Sequence, residues 1–294
     1  MARVIAPPQT RPPVEPPADA QWLALDGLRL YVSITGPRAG AVVWFVLGPE
    51  AGATPPYPRL RTALHEAGIA TALLHPRGAG FSEGPRGDLD DFAALLADQT
   101  RFLALLATSF SRIVVLGHSV GAALALALAA EVGTDLAACV LVNPAWKLRA
   151  IPGATPSVGD MVHFAVDWLV RPRARTVDMN RNPAALTFAP DREEGEAMQR
   201  DPVVVRHFSL RFLAAQRRLM NRCAQHLARV RVPVLLVQGR HDALVDPGAY
   251  PQLIAAASQT TAQHVVAPEG GHGASAVETM VAPLVAWIDA RVRG

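Results

Sequence analysis

Short apolar runs alternate with helix-like segments along most of the chain. The apolar runs are rich in β-branched residues and lack polar alternation, which is typical of parallel strands buried on both faces. This alternation predicts an α/β fold with a mostly parallel sheet that helices cover on both sides. The predicted strands are Ala41–Leu47, Ile69–Leu74, Arg112–Leu116, Ala137–Val142, Pro233–Gln238 and Gln263–Ala267, and the predicted helices include Leu60–Ala67, Leu89–Ser109, Tyr250–Ala257 and Ala276–Val292.

The beginning of the chain departs from this pattern. Residues 1–20 are rich in proline and contain little that could pack, so we expect a disordered or extended tail. Two apolar segments, Trp22–Leu25 and Leu28–Ile34, then flank the dipeptide Asp26-Gly27. This arrangement predicts a β-hairpin with a tight turn.

The alternation also stops between the sixth and seventh predicted strands. Residues 145–228 show no convincing buried strand and instead contain helical patterns at Val158–Val170 and Val203–Ala228. We therefore expect an α/β core at residues 21–144 and 229–294, with a helical cap inserted after the sixth strand. Such an insertion lies over the carboxyl ends of the strands, where open α/β sheets bind ligands.

One short motif, Gly117-His118-Ser119-Val120-Gly121, separates a buried strand from an alanine- and leucine-rich helix. Gly-x-Ser-x-Gly in this context predicts a nucleophile elbow, a strained strand-to-helix turn that exposes a serine hydroxyl. The glycines are expected where a side chain would collide with the neighbouring strand and helix. Ser119 then lies at a helix N-terminus, where backbone N–H groups favour developing negative charge.

A serine hydroxyl needs an adjacent base, and the base needs an orienting carboxylate. In this kind of sheet the partners follow in the order Ser, Asp or Glu, His. Asp242 follows one predicted strand and His272 lies in a glycine-rich loop after the last one, so we predict the triad Ser119, Asp242 and His272. Alternatively, Asp242 is a turn residue and His272 an ordinary loop histidine. Asp246 is the rival carboxylate, and we expect it to cap or turn the chain.

Four motifs in this chain follow a known family pattern: His75-Pro76-Arg77-Gly78-Ala79-Gly80-Phe81-Ser82-Glu83-Gly84, Gly-His-Ser-x-Gly, Gly-x-x-Asp and Gly-His. With them the chain resembles the α/β hydrolases, and more narrowly their lysophospholipase and monoacylglycerol lipase branch. The resemblance covers about residues 40–145 and 230–290. It implies the α/β-hydrolase fold and the same three catalytic residues. His75 stands where the family has Asp, which we interpret as a structural change.

The second departure concerns the oxyanion hole, which needs two backbone N–H groups. Val120 is expected to supply the first. The family's His-Gly-x is here Leu47-Gly48-Pro49, and Pro49 has no N–H to give. Two possibilities stay open: either the loop is shifted so that Gly48 or Glu50 donates, or the hole is weakened. Losing one donor typically lowers turnover by about 10²–10³-fold.

Aromatic residues in and beside the cap are candidates for substrate binding. We assign this role to Trp146, Phe164, Trp168 and Phe208, with packing of the cap against the core as the alternative. Arginines at 171, 173 and 175 fit either an anionic head group on the substrate or a solvated face.

Composition indicates which partners, cofactors and membrane segments to expect. The 294 residues carry a net charge of +3 without a dense basic block, so we expect no nucleic-acid partner. Cys139 and Cys223 are expected to be buried free thiols. The histidines lack metal-ligand spacing, so we assign no metal and no cofactor. With no signal peptide and no membrane-spanning apolar run, we expect a cytoplasmic protein without an integral membrane segment. Nothing in the sequence indicates the oligomeric state.

These features predict a serine hydrolase whose partner is a small-molecule acyl ester with an apolar acyl group. His272 would accept the Ser119 proton, an acyl-enzyme would form, and water would release the acid. Alternatives with the same triad are an amidase, an aminopeptidase, a thioesterase or a C–C hydrolase. A non-catalytic binding protein on the hydrolase scaffold is a further alternative, supported only by Pro49.

Overall fold

An eight-stranded sheet lies at the centre of the molecule. The structure, a computed structural model, describes residues 10–149, 165–166, 168–178 and 191–294. The strands of the sheet are β1 (Gln21–Leu25), β2 (Leu28–Thr35), β3 (Gly40–Val46), β4 (Ala70–Leu74), β5 (Phe110–His118), β6 (Ala138–Val142), β9 (Val234–Gly239) and β10 (Ala262–Ala267). Their spatial order is β1-β2-β4-β3-β5-β6-β9-β10. A separate two-stranded sheet pairs β7 (Val177–Asp178) with β8 (His207–Phe208).

The strand directions confirm the predicted mostly parallel sheet. β2 pairs antiparallel with both β1 and β4, whereas all other neighbouring pairs in the large sheet are parallel. The carboxyl ends of the parallel strands therefore meet at one edge of the sheet. The predicted hairpin is also confirmed, because Asp26 and Gly27 both have positive φ, at 52° and 76°. Positive φ at both central residues is typical of a type I′ turn.

Helices cover both faces of the sheet. One face packs against the helices at Ala93–Ala107, Val120–Val132, Leu210–Asn221 and Cys223–Leu227, and the other packs against those at Pro58–Glu66, Ser275–Glu278 and Val281–Val292. The described helices are α1 (Pro58–Glu66), α2 (Ala93–Ala107), α3 (Val120–Val132), α4 (Arg192–Arg200), α5 (Leu210–Asn221), α6 (Cys223–Leu227), α7 (Ala249–Ala255), α8 (Ser275–Glu278) and α9 (Val281–Val292).

Strand β3 shows why the central strands are apolar at every position. Trp44 packs into the core on one face and Phe45 into the core on the other, since successive side chains of a strand point to opposite faces. Both predicted free thiols, Cys139 and Cys223, are buried. Burial raises the pKa of the Cys223 thiol to about 12, so this thiol stays protonated at neutral pH.

The helix predicted at Val203–Ala228 is wrong in its first third. Residues 203–208 form a turn and strand β8, and α5 begins only at Leu210. The Ser209 hydroxyl accepts a hydrogen bond from the N–H of Phe212 at 3.1 Å. Serine is a strong N-cap because it satisfies such a free N–H, and this capping sets the helix start.

The final helix, predicted as Ala276–Val292, is divided into α8 and α9 around Met280. Pro283 lies in the first turn of α9, where its missing N–H costs nothing. Its ring would clash with the carbonyl of residue 279 in a continuous helix, which explains the break. By contrast, Gly68 follows α1 with a φ of 78°, as expected for a C-cap glycine.

The region assigned to the cap lies between β6, which ends at Val142, and β9, which begins at Val234. Helices α4 to α6 and the small β7–β8 sheet belong to it. The helix predicted at Val158–Val170 lies largely outside the described residues, and the division into core and cap stays a prediction. Throughout the part of the chain that the structure describes, every helix is too short or too polar to cross a bilayer.

Candidate active site

Ser119 lies in a strained turn between β5 and α3. Its φ is 53° and its ψ is −118°, a conformation that costs on the order of 1–3 kcal/mol for a residue with a side chain. The flanking glycines make the turn possible. A Cβ on Gly117 would lie 2.7 Å from the Cα of Ala122, and a Cβ on Gly121 would press against the backbone that leaves β3.

The structure brings the three predicted catalytic residues together. The Oγ atom of Ser119 lies 3.0 Å from Nε2 of His272, and Nδ1 of His272 lies 3.0 Å from Oδ2 of Asp242. Asp242 follows β9 and His272 follows β10, so both side chains arrive from carboxyl ends of parallel strands. This is the geometry in which an imidazole accepts a serine proton while a carboxylate holds its tautomer.

Asp242 is 4% exposed and is held at both carboxylate oxygens. Its Oδ1 accepts hydrogen bonds from the N–H groups of Leu244 at 2.7 Å and Val245 at 3.0 Å. Burial opposes ionisation, but the hydrogen bond with His272 and these N–H groups outweigh it and keep the pKa of Asp242 below its ordinary value. Asp246 is exposed and accepts from the N–H of Gly248, as expected for a turn residue.

Asn143 is a site residue that sequence reasoning missed. It is fully buried, with a φ of 42°, directly after β6. Its Nδ2 donates to the carbonyls of Gly271 at 2.8 Å and His272 at 2.9 Å, while its Oδ1 accepts from the N–H of Gly239. The Tyr250 hydroxyl also donates to this oxygen, at 3.1 Å. The sequence feature that could have pointed to Asn143 is its position directly after a predicted strand.

His118 supports the same loop from the elbow. Its Nε2–H donates to the carbonyl oxygen of His272, and the two imidazole centroids are 5.2 Å apart. Burial and the nearby His272 lower the pKa of His118 to about 4. A neutral His118 therefore holds the backbone of His272, the residue that faces Ser119.

Gly48, in the loop after β3, lies next to the nucleophile elbow. The backbone nitrogen of Gly48 is 3.2 Å from the position of a Cβ on Gly121, so it borders the first turn of α3. The Glu50 carboxylate packs against the Cα of Gly48. Burial raises the pKa of Glu50, while hydrogen bonds from the N–H groups of Glu50 and Gly48 oppose this rise. The Glu50 carboxylate thus lies beside the backbone of Gly48, next to the elbow.

His75 and Arg77 have structural contacts in the turn after β4. Nδ1 of the buried His75 accepts a hydrogen bond from the N–H of Phe81 at 2.9 Å. Arg77 pairs with Asp98 at 2.5 Å and with Asp26 at 3.1 Å. Both residues thus stabilise the turn after β4.

The four aromatic candidates for substrate binding have different surroundings. Phe208 is buried against Phe212, with ring centroids 4.8 Å apart, and Trp146 is partly buried beneath the amino group of Lys147. Trp168 is 46% exposed, and Phe164 lies outside the described residues. Phe208 packs β8 against α5, and a role in substrate binding stays a prediction for all four.

Together, the sheet order, the elbow and the hydrogen-bonded Ser, His and Asp side chains define an α/β hydrolase. A profile of the family described as serine aminopeptidase, S33, matches residues 51–277. The chain belongs to this family. The α/β-hydrolase resemblance inferred from its motifs is thereby confirmed.

Two sequence relatives and one solved structure carry related names. The monoglyceride lipase of Mus musculus is 27% identical over 183 residues, which cover 59% of this chain and 56% of the relative. The chain thus spans little more than half the length of that relative. The monoglyceride lipase homolog of Monkeypox virus is 23% identical over 225 residues, covering 74% and 76%. A soluble variant of monoglyceride lipase from Saccharomyces cerevisiae has a similar fold, with a TM-score of 0.73, 16% identity and coverage of 96% and 99%.

Proposed function

We propose that this protein is a serine hydrolase that cleaves carboxylic esters with an apolar acyl group. The observation that carries the proposal is the continuous hydrogen-bonded arrangement Ser119–His272–Asp242, with both contacts at 3.0 Å. A buried carboxylate, an imidazole and a serine in a strained turn form the set of groups that activates a hydroxyl at neutral pH. The relatives named as monoglyceride lipases support an ester as the substrate.

In the proposed mechanism, His272 takes the proton of Ser119 as the hydroxyl oxygen attacks the ester carbonyl. The carbonyl electrons move to oxygen, and the N–H of Val120 donates a hydrogen bond to the resulting oxyanion, beside the loop that carries Gly48. His272 then gives the proton to the leaving alcohol. A water molecule, deprotonated by His272, attacks the acyl-enzyme and releases the acid. Asp242 holds the imidazole and stabilises its charged form throughout.

Two experiments test this proposal directly. The wild-type chain is expected to react with a fluorophosphonate probe and to hydrolyse p-nitrophenyl esters and monoacylglycerols. Ser119→Ala is expected to abolish labelling and to lower ester turnover by at least about 10³-fold, because the nucleophile is gone. Ser111→Ala, an exposed serine at the other end of β5, is the matched control and should retain both activities. An unlabelled wild-type protein would contradict the proposal.

Hydrolysis of an amide at an amino terminus is the second candidate. Burial raises the pKa of the Glu50 and Glu194 carboxylates, and the nearby His272 opposes this rise in both. When ionised, these carboxylates on the side of the proposed base would attract a positive amino group of a substrate, and the family description supports this candidate. Aminoacyl p-nitroanilides compared with p-nitrophenyl esters of matched size distinguish the two candidates. A higher kcat/KM for the anilides would favour the aminopeptidase.

A further inference from the structure

Helix α4 of the cap region binds the loop that carries the proposed base. The carboxylate of Asp191, just before this helix, accepts the N–H of Gly273 at 2.8 Å and of Ser275 at 3.0 Å. Glu194, in its first turn, accepts the N–H of Ala274 at 2.6 Å. Two carboxylates therefore bind three consecutive N–H groups directly after the histidine. These groups form the N-terminus of α8, where N–H groups have no partner within the helix.

The other end of α4 binds the loop that follows β3. Asp201, directly after the helix, accepts the N–H of Ala53 at 2.7 Å through Oδ2 and the N–H of Val203 at 2.8 Å through Oδ1. Ala53 belongs to the same loop as Gly48 and Glu50. A nine-residue helix is about 13 Å long, so α4 spans the distance between the two loops as one rigid element.

Two glycines adapt the core to these carboxylates. A Cβ on Gly52 would lie 2.7 Å from Oδ2 of Asp201. A Cβ on Gly273 would collide with the Glu194 carboxylate and lie 2.9 Å from Cγ of Asp191. Neither glycine has a positive φ, so the backbone itself would accept alanine. A side chain at either position would therefore have to displace the cap carboxylates from the N–H groups that they bind.

We propose that residues 191–201 form a clamp that holds two loops in their reactive positions at the same time: the base loop, residues 268–274 with His272, and the oxyanion loop, residues 47–57 with Gly48. Asp191 and Glu194 are positioning residues for His272, and Asp201 is the positioning residue for the loop around Gly48. This inference rests on the proposed function, because it assigns the clamp to the same Ser119 site. Docking of α4 against the core therefore assembles the site, and its departure releases both loops together.

The first test removes the clamp at each end separately. D191A/E194A and D201A are compared with E193A, an exposed carboxylate on the same helix. Each clamp variant is expected to lower kcat for p-nitrophenyl esters by about 10-fold or more with a smaller change in KM, since displaced catalytic groups slow chemistry more than binding. E193A should stay within about twofold of the wild type. The conservative variants D191N and E194Q keep an acceptor oxygen and should recover part of kcat.

The second test places a side chain at Gly273, where the Asp191 and Glu194 carboxylates approach the backbone closely. G273A should lower kcat strongly in the wild type but add little in D191A/E194A, because the carboxylates that exclude its Cβ are then absent. G248A is the matched control, since a Cβ there meets its nearest atom at an ordinary 3.4 Å. Additive losses from G273A and D191A/E194A would overturn the clamp.

Hydrogen–deuterium exchange separates the clamp from the proposed function. In the wild-type chain, the N–H groups of residues 273–275 and of Ala53 should exchange slowly. D191A/E194A should speed exchange in the first segment and D201A in the second. An active wild type with clamp variants that match E193A in kcat would overturn the clamp and leave the function intact. A wild type without activity would contradict the proposed function. Unchanged exchange of both loops in D191A/E194A and D201A would contradict the clamp, whatever the activity of the wild type.

Discussion

Asp242 illustrates how one side chain is fitted for its place in the site. One carboxylate oxygen faces His272, and the other is held by two backbone N–H groups of the following turn. The carboxylate cannot rotate without losing all three contacts. At the scale of single residues, this fixed orientation is what distinguishes Asp242 from the exposed Asp246, which bonds only its own turn.

Asp242→Asn is expected to lower kcat/KM for esters by about 10³-fold or more, because the amide cannot hold His272 in the required tautomer and charge. Asp246→Asn is the control and should leave kcat/KM nearly unchanged. Steady-state kinetics of both variants at pH 7 make the measurement. Equal losses in the two variants would remove Asp242 from the proposed mechanism.

The meeting of the three proposed catalytic side chains was predictable, because each residue follows a recognisable strand in the order that the chemistry requires. Asn143 and Glu50 were not predictable in the same way. Their places depend on where loops from distant parts of the chain meet, and a single polar residue in a loop carries no periodic signal. Pro49 signalled an altered oxyanion loop, but only the fold places the Gly48 nitrogen beside the elbow.

At the scale of elements, hydrophobic periodicity identified the strands of the sheet and most of its helices. It failed where a local side-chain contact overrides the pattern, as at Ser209, which starts α5 seven residues after the apolar pattern begins. It also missed the break before α9. The apolar pattern continues through this break, but in a continuous helix the ring of Pro283 would clash with the carbonyl of residue 279.

Ser209→Ala should therefore destabilise the protein by about 1 kcal/mol, since the N–H of Phe212 loses its capping oxygen. The Ser209 hydroxyl also donates to Asp88 at 2.7 Å, which makes the loss larger than for an exposed cap. Urea unfolding of this variant, with exposed Ser258→Ala as the comparison, measures the effect. A midpoint equal to that of the wild type would show that α5 does not depend on this cap.

At the scale of the whole molecule, several buried histidines link folding to pH. Burial lowers the pKa of His75 to about 3 and, together with His272, lowers that of His118 to about 4. An unfolded chain binds protons at these histidines near pH 6.5, well before the folded protein does. Stability from these groups is therefore complete above about pH 6.5 and is lost progressively as the pH falls toward the folded values.

His75→Asn tests this dependence, because an asparagine oxygen can still accept the N–H of Phe81 but does not titrate. The wild type should lose up to about 1.4 kcal/mol per pH unit through His75 as the pH falls from 6 to 4, and the variant should lose less. Urea midpoints at pH 7, 6, 5 and 4 give the slopes, with exposed His241→Asn as the control. An unchanged slope in His75→Asn would contradict the linkage.

The arrangement of the cap was the least predictable part of the whole molecule. Composition indicated helices between β6 and β9, but the contacts of Asp191, Glu194 and Asp201 join segments separated by 80 to 148 positions. Carboxylates at a helix end normally interact with the terminus of that helix or with solvent. Here these carboxylates accept hydrogen bonds from the backbone of two other loops, and only the tertiary structure shows this.

Asn143 has a further consequence for the lifetime of the folded protein. Its amide joins the ends of β6, β9 and the loop after β10, so conversion to aspartate would replace two donated hydrogen bonds by repulsion between oxygens. Asparagine ages by this route when the next backbone nitrogen attacks its side chain. Pro144 follows Asn143, and its nitrogen carries no hydrogen. Deamidation of Asn143 would break hydrogen bonds that hold the site together, and the proline that follows it blocks this reaction.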